Sequence, residues 1–153
     1  MSIDPVLGNS TDRKEETSPS ANPHYQLMGG EQGLFQLVEH FYGIMDADPY
    51  AAPIRAMHPA DLTDTKGVLR DYLSGWLGGP NRYEARHGHP RLRQRHMRFS
   101  IGDAERDQWM YCMEKAISAS GVEVMLQSQL LAAFLKIANH LRNRQPMEMR
   151  ERQ

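Results

Sequence analysis

His96 is the side chain in this sequence with the most chemistry to offer. Leu92 lies four residues before it and Phe99 three after it, so the three share one face of a helix and the imidazole is predicted to point inward. A buried imidazole needs a partner. A backbone carbonyl would make it an ordinary core residue, and a metal ion would make it a ligand. Arg93, Arg95 and Arg98 flank it, and guanidinium groups at the mouth of an apolar pocket hold carboxylates. Haem combines an iron, an apolar macrocycle and two propionates, and would use all of these features. The plainer reading of the same arginines is a solvated basic face.

His87 and His89 form a second group with His96. A His-x-His pair on an extended segment presents both rings to one side and can bind zinc. No carboxylate stands at a companion spacing, and solvated loop histidines are the alternative. Cys112 is the single cysteine, which excludes an intramolecular disulfide, a cysteine-rich zinc site and the attachment of a c-type haem. No Ser-His-Asp or Cys-His arrangement is readable, and Gly78-Gly79-Pro80 ends a helix instead of opening one on a phosphate. The basic run over residues 91–98 has no nucleic-acid-binding motif beside it.

Helices must position these groups. Leu34, Leu37, Val38, Phe41 and Met45 recur with a helical period, which predicts a helix from after Gly29-Gly30 to near Asp48-Pro49. Pro49, Pro53 and Pro59 leave short turns. A second helix, capped by Thr63 or Asp64, carries Val68, Leu69, Tyr72, Leu73 and Trp76 on one face and stops at Gly78-Gly79-Pro80. Residues 81–89 have no period and read as a loop, with Pro90 placed for the first turn of a short helix. After a break at residues 100–103, Trp109, Cys112, Met113, Ala116 and Ile117 mark a third long helix. Past Gly121, Leu126, Leu130, Phe134, Ile137, Ala138 and Leu141 mark a fourth, followed by a polar tail from Asn143. No segment alternates with period two. The fold class is all-α, with four main helices and one short one.

The chain has 153 residues, 40% of them hydrophobic and 24% charged, which suits one domain with a substantial core. Eighteen basic residues against 19 acidic ones remove any bulk attraction to nucleic acid or to an anionic membrane. Every apolar run is shorter than the roughly 18 residues of a membrane span, and the polar N-terminus has no signal-peptide pattern, so a cytoplasmic protein is expected. Residues 1–23 are too polar to offset their ordering entropy and are expected to form a disordered extension. The domain is expected over residues 24–143, with a polar tail over 144–153.

The run His87-Gly88-His89-Pro90-Arg91-Leu92-Arg93-Gln94-Arg95-His96, followed by Phe99 and Ile101, strongly resembles the proximal region of group II truncated haemoglobins. Trp109 and Cys112-Met113 continue the likeness, and Phe41-Tyr42, the 54–62 segment with His58-Pro59, and the 73–80 segment with its Gly78-Gly79-Pro80 stop precede it. It extends from about Tyr25 to Arg142. The resemblance implies a two-on-two helical sandwich around haem b, with His96 as proximal iron ligand. It puts Tyr42 and Trp109 on the distal side as hydrogen-bond donors to a bound gas, with His58 as a titratable group at the distal edge. By the same likeness Thr65 is a small polar gate and Leu69 an apolar wall of the distal cavity. Arg95 and Tyr83 are the implied propionate contacts, and Phe41, Leu92 and Phe99 line the macrocycle. Val68 stands where some relatives supply a cation to a propionate, and Met97-Arg98 replaces a commoner apolar-proline pair.

The implied function is reversible binding of O2, and of NO and CO, by a monomer or homodimer in the oxygen binding and transport class. The alternative is an enzyme, an NO dioxygenase or a peroxidase-like protein. Turnover would need an external reductase, because the chain is too short to include a flavin or nicotinamide domain. A third reading is a cofactor-free helical interaction module.

Overall fold

The computed structural model describes residues 23–144. The expected extension, apart from Pro23, and the expected tail beyond residue 144 lie outside them. Among the described residues all regular structure is helical. The helices are α1 (His24–Leu27), α2 (Gly30–Ala47), α3 (Ala52–Arg55), α4 (Thr63–Trp76), α5 (Arg82–His87), α6 (Leu92–His96), α7 (Asp103–Ser120) and α8 (Val124–His140), with a 3-10 turn at Pro49–Ala51. No helix among them is long and apolar enough to cross a membrane.

The four long helices follow the apolar periods. Leu34, Leu37, Val38, Phe41, Tyr42 and Met45 are buried along α2, which packs on both α4 and α7. Cys112, Met113, Ala116 and Ile117 of α7 are fully buried, and α7 in turn carries α8 through Leu126, Leu130, Phe134 and Ala138. The pair α2 and α4 therefore stacks on the pair α7 and α8 through the α2–α7 contact. This is the two-on-two sandwich. On α4, Leu73 is buried, Leu69, Tyr72 and Trp76 are half-buried against the core, and Val68 is exposed.

Three local expectations need correction. Residues 82–87 are helical, not a loop. One buried side chain, Tyr83, anchors this helix, too few for a period, and tertiary bonds complete it. Asp71 of α4 is buried and accepts from Arg86 Nη1 at 3.0 and 3.1 Å and from His87 Nε2 at 3.4 Å. Thr63 does not cap α4 but is its first residue. The Asp61 carboxylate accepts both its amide at 3.0 Å and its hydroxyl at 2.8 Å. Pro90 stands before α6 instead of in its first turn, because Arg91 turns the chain in the left-handed region at φ 45°. The single short helix of the sequence reading thus becomes four, α1, α3, α5 and α6.

The stop after α4 is as expected. Gly78 adopts φ 93°, its amide donates to Gly75 O at 3.0 Å, and Gly79 N donates to Ser74 O at 2.8 Å, which together satisfy carbonyls at the end of α4. At the start of α2, Gly33 is required by close approach: a Cβ there would lie 1.8 Å from Met28 O. Gly33→Ala is expected to displace the α1–α2 link and lower unfolding stability by about 1–3 kcal/mol. Chemical denaturation checks this, and an unchanged midpoint would refute the packing described.

Candidate functional site

A run of ring contacts threads the sandwich and joins four helices. Trp76 of α4 lies 4.5 Å from Phe134 of α8, Phe134 lies 5.6 Å from Trp109 of α7, and Trp109 lies 5.2 Å from Phe41 of α2. Phe41 meets Tyr42 at 4.9 Å, and Tyr42 meets His58 at 5.7 Å, both edge to face. Tyr42, Trp109 and His58, far apart in the chain, are thus brought together. Phe41 is fully buried between them, Leu69 packs against the same core, and Thr65 is half-buried one turn before Leu69 on α4.

The polar ends of these rings have definite states. Burial pushes the Tyr42 hydroxyl far above the usual tyrosine range, so it keeps its proton. Burial alone accounts for that shift, with no hydrogen bond contributing to it. His58 Nδ1 lies 2.8 Å from Ile54 O. A carbonyl only accepts, so Nδ1 bears the hydrogen and Nε2 keeps its lone pair. Burial first, then the Arg55 charge, lower the basicity of His58 against an opposing contribution from the Ile54 bond. His58 is therefore neutral at pH 7. Burial, with a smaller effect of the Asp48 charge, lifts the Cys112 thiol to about 11, which leaves it unreactive.

His96 repeats the pattern of His58. Its Nδ1 lies 2.7 Å from Leu92 O, one turn back on α6, so Nδ1 donates and the Nε2 lone pair is free to bind a metal. The ring is half-buried with Leu92 and Phe99, while the rest of α6 is exposed. Among the described residues no three His, Cys, Asp or Glu side chains gather as a metal site. His87 turns to Asp71 and stacks at 4.8 Å on Tyr83, and His89 Nδ1 accepts the Arg91 amide at 3.3 Å. The bare donors are two imidazole nitrogens, Nε2 of His96 and of His58, too few to enclose an ion, which suits a planar organic group that brings its own metal ligands.

Arg95 and Tyr83 are also neighbours. The Arg95 guanidinium lies 5.7 Å over the Tyr83 ring, while Arg95 Nε donates to Pro90 O at 2.8 Å. Tyr83 is buried edge-on to Tyr72 at 6.0 Å. Arg93 departs from the reading of a cation that faces a carboxylate. Its Nη1 donates to His140 O at 2.5 Å and to Arg142 O at 3.0 Å, at the end of α8. Arg98 lies 4.7 Å over Phe99. Sequence reading missed Asn143, which sits where the polar tail was placed and bonds to the backbone around His96. Periodicity has no means of finding an amide that binds carbonyls more than 40 residues away.

Comparison with known proteins agrees with this fold. The model of the bacterial-like globin family matches residues 23–143. The group 2 truncated hemoglobin YjbI of Bacillus subtilis (strain 168) is 37% identical over 131 residues, 86% of this chain and 96% of that protein. The cold-adapted truncated hemoglobin of the Antarctic bacterium Pseudoalteromonas haloplanktis TAC125 is 44% identical with a TM-score of 0.78, covering 81% of this chain and 99% of its own. The truncated oxygen-avid haemoglobin of Bacillus subtilis superposes with a TM-score of 0.72 at 37% identity, covering 80% of this chain and 99% of its own. With its two-on-two sandwich and these likenesses, the chain belongs to the bacterial-like globins as a group II truncated haemoglobin.

Proposed function

We propose that this globin holds haem b with His96 as its proximal iron ligand and binds O2, NO and CO beside Tyr42, Trp109 and His58. The observation that carries this reading is the hydrogen bond between His96 Nδ1 and Leu92 O at 2.7 Å. That Nδ1–H is committed to Leu92 O, so Nε2 offers a lone pair from a side chain that its own helix holds in direction. The residues fit the group: Leu92 and Phe99 add apolar surface beside the ring, Leu69, Tyr72, Trp76 and Trp109 form a half-buried apolar wall, and Arg95 stands over Tyr83 as a cation for a carboxylate. When bound, haem supplies an iron that takes up a diatomic gas. The protein's own part is to exclude water and to aim hydrogens at the polar gas. Tyr42 and Trp109 carry one such hydrogen each at every physiological pH, and a donor in a dry site is worth more than one in water.

His58 acts differently. Neutral, it presents only a lone pair at Nε2 and donates nothing to the gas. Protonated, it presents an N–H. Its basicity is lowered, so the change falls below the usual histidine value of about 6.5. The purified haem protein is therefore expected to show an intense absorption band that responds reversibly to O2. Stopped-flow measurement is expected to give an oxygen dissociation rate that is flat above pH 7 and slows as the pH falls through the lowered His58 pKa. A protein that takes up no haem would sink the whole reading; a pH dependence that survives His58→Phe would remove His58 from it.

A further inference from the structure

The segment after α8 closes on the helix that carries His96. Asn143 Nδ2 donates to the carbonyl of His96 at 3.2 Å and to that of Phe99 at 2.8 Å. Its Oδ1 accepts the Ile101 amide at 2.9 Å, and its own amide donates to Ile101 O at 2.8 Å. One side chain thereby takes up the Phe99 carbonyl and adds a second donor to the His96 carbonyl, which already accepts the Phe99 amide at 3.0 Å. In the other direction, Arg93 of α6 reaches the carbonyls of His140 and Arg142 at the end of α8. Next to Asn143, Arg144 pairs with Glu105 of α7 and covers Gly102, where a Cβ would come within 2.6 Å of its guanidinium. None of the residues of α6 is fully buried. Apolar packing therefore does little to fix this helix, and the hydrogen bonds at its ends fix it instead.

We infer that Asn143 is a positioning residue for His96, a clamp that sets the rotation of α6 and with it the direction of the imidazole Nε2. This rests on the reading of His96 as the iron ligand. The ring is tied to the backbone of α6 through Leu92 O, so ring and helix turn together. Holding the carbonyls of His96 and Phe99 holds that unit at its C-terminal end. Without the clamp, the Phe99 carbonyl turns to water, the His96 carbonyl keeps only the Phe99 amide, and the C-terminal end of α6 loses its side-chain tie to the segment after α8, leaving Arg93 as the remaining one.

The test uses the ferrous, gas-free holoprotein and reads two quantities: the iron–imidazole stretching band in resonance Raman spectra, and the rate of haem transfer to an acceptor globin. Asn143→Ala is expected to shift or broaden the band and to speed haem transfer about tenfold. Asn143→Asp keeps an oxygen for the Ile101 amide but sets an anion against two carbonyls. It is expected to behave the same way and provides the measurement if the alanine variant does not fold. Arg144→Ala loosens the same segment without touching α6 and is expected to leave the band in place. The clamp is overturned if the wild-type band persists unmoved in the Asn143 variants, or if Arg144→Ala moves it equally. A wild-type protein with no iron–imidazole band overturns the ligand assignment itself, and the clamp with it.

Discussion

His96→Ala is expected to emerge from purification without the haem absorption band, with haem affinity lower by at least about 100-fold, and to regain the band when imidazole is added. Removing the side chain deletes the one donor whose Nε2 lone pair is directed from a half-buried position on α6. It also leaves a space of the size of an imidazole, and so the free ligand can substitute. His58 is the informative comparison, since its Nδ1 is likewise bonded to a carbonyl one turn back and its Nε2 is likewise bare. It differs in position. His58 packs on Tyr42 within the aromatic run, and His58→Ala is expected to retain haem. A band kept at full intensity by His96→Ala without imidazole, or lost in His58→Ala alone, would reverse the proximal and distal assignments.

Tyr42→Phe and Trp109→Phe should each speed oxygen dissociation. Each removes one hydrogen-bond donor, at a cost of about 1 kcal/mol or somewhat more, which is roughly five- to tenfold in rate. The rings themselves stay, so the packing of Phe41 against both is preserved and the change isolates the donor. Because Phe41 touches both rings, the two effects are expected to couple, and the double variant should depart from the product of the single ones. The Tyr42 contribution is expected to be independent of pH, since burial holds its proton far beyond the accessible range. Unchanged dissociation in both single variants, measured by stopped flow, would refute the distal assignment.

The reading of the sequence and the folded chain agree where the signal is apolar and long. Six buried residues along α2 and four along α8 repeat with the helical period, because a long helix in a two-layer sandwich must bury one stripe. The Gly78-Gly79-Pro80 stop was legible for a local reason, since only glycine adopts the φ of Gly78 without strain. The less exposed face of α6 was also legible: Leu92 and His96 are its half-buried positions, and Phe99 just after it is half-buried too. Short elements were not. Helix α5 exists because Asp71, on another helix, accepts Arg86 and His87, and nothing within residues 81–89 announces that partner.

By itself, then, the sequence determined the all-helical class, the four long helices and the imidazole at position 96, since periodicity and residue type are local properties of the chain. Only the tertiary structure decided which nitrogen of His96 and of His58 is free. It alone joined Tyr42, Trp109 and His58 through one run of rings, and it alone turned Asn143 from the start of a polar tail into a bond to the carbonyl of His96. The physical reason is that a hydrogen bond between residues 96 and 143 leaves no trace in composition or period. It arises only once α8 has packed on α7 and returned the chain to the end of α6.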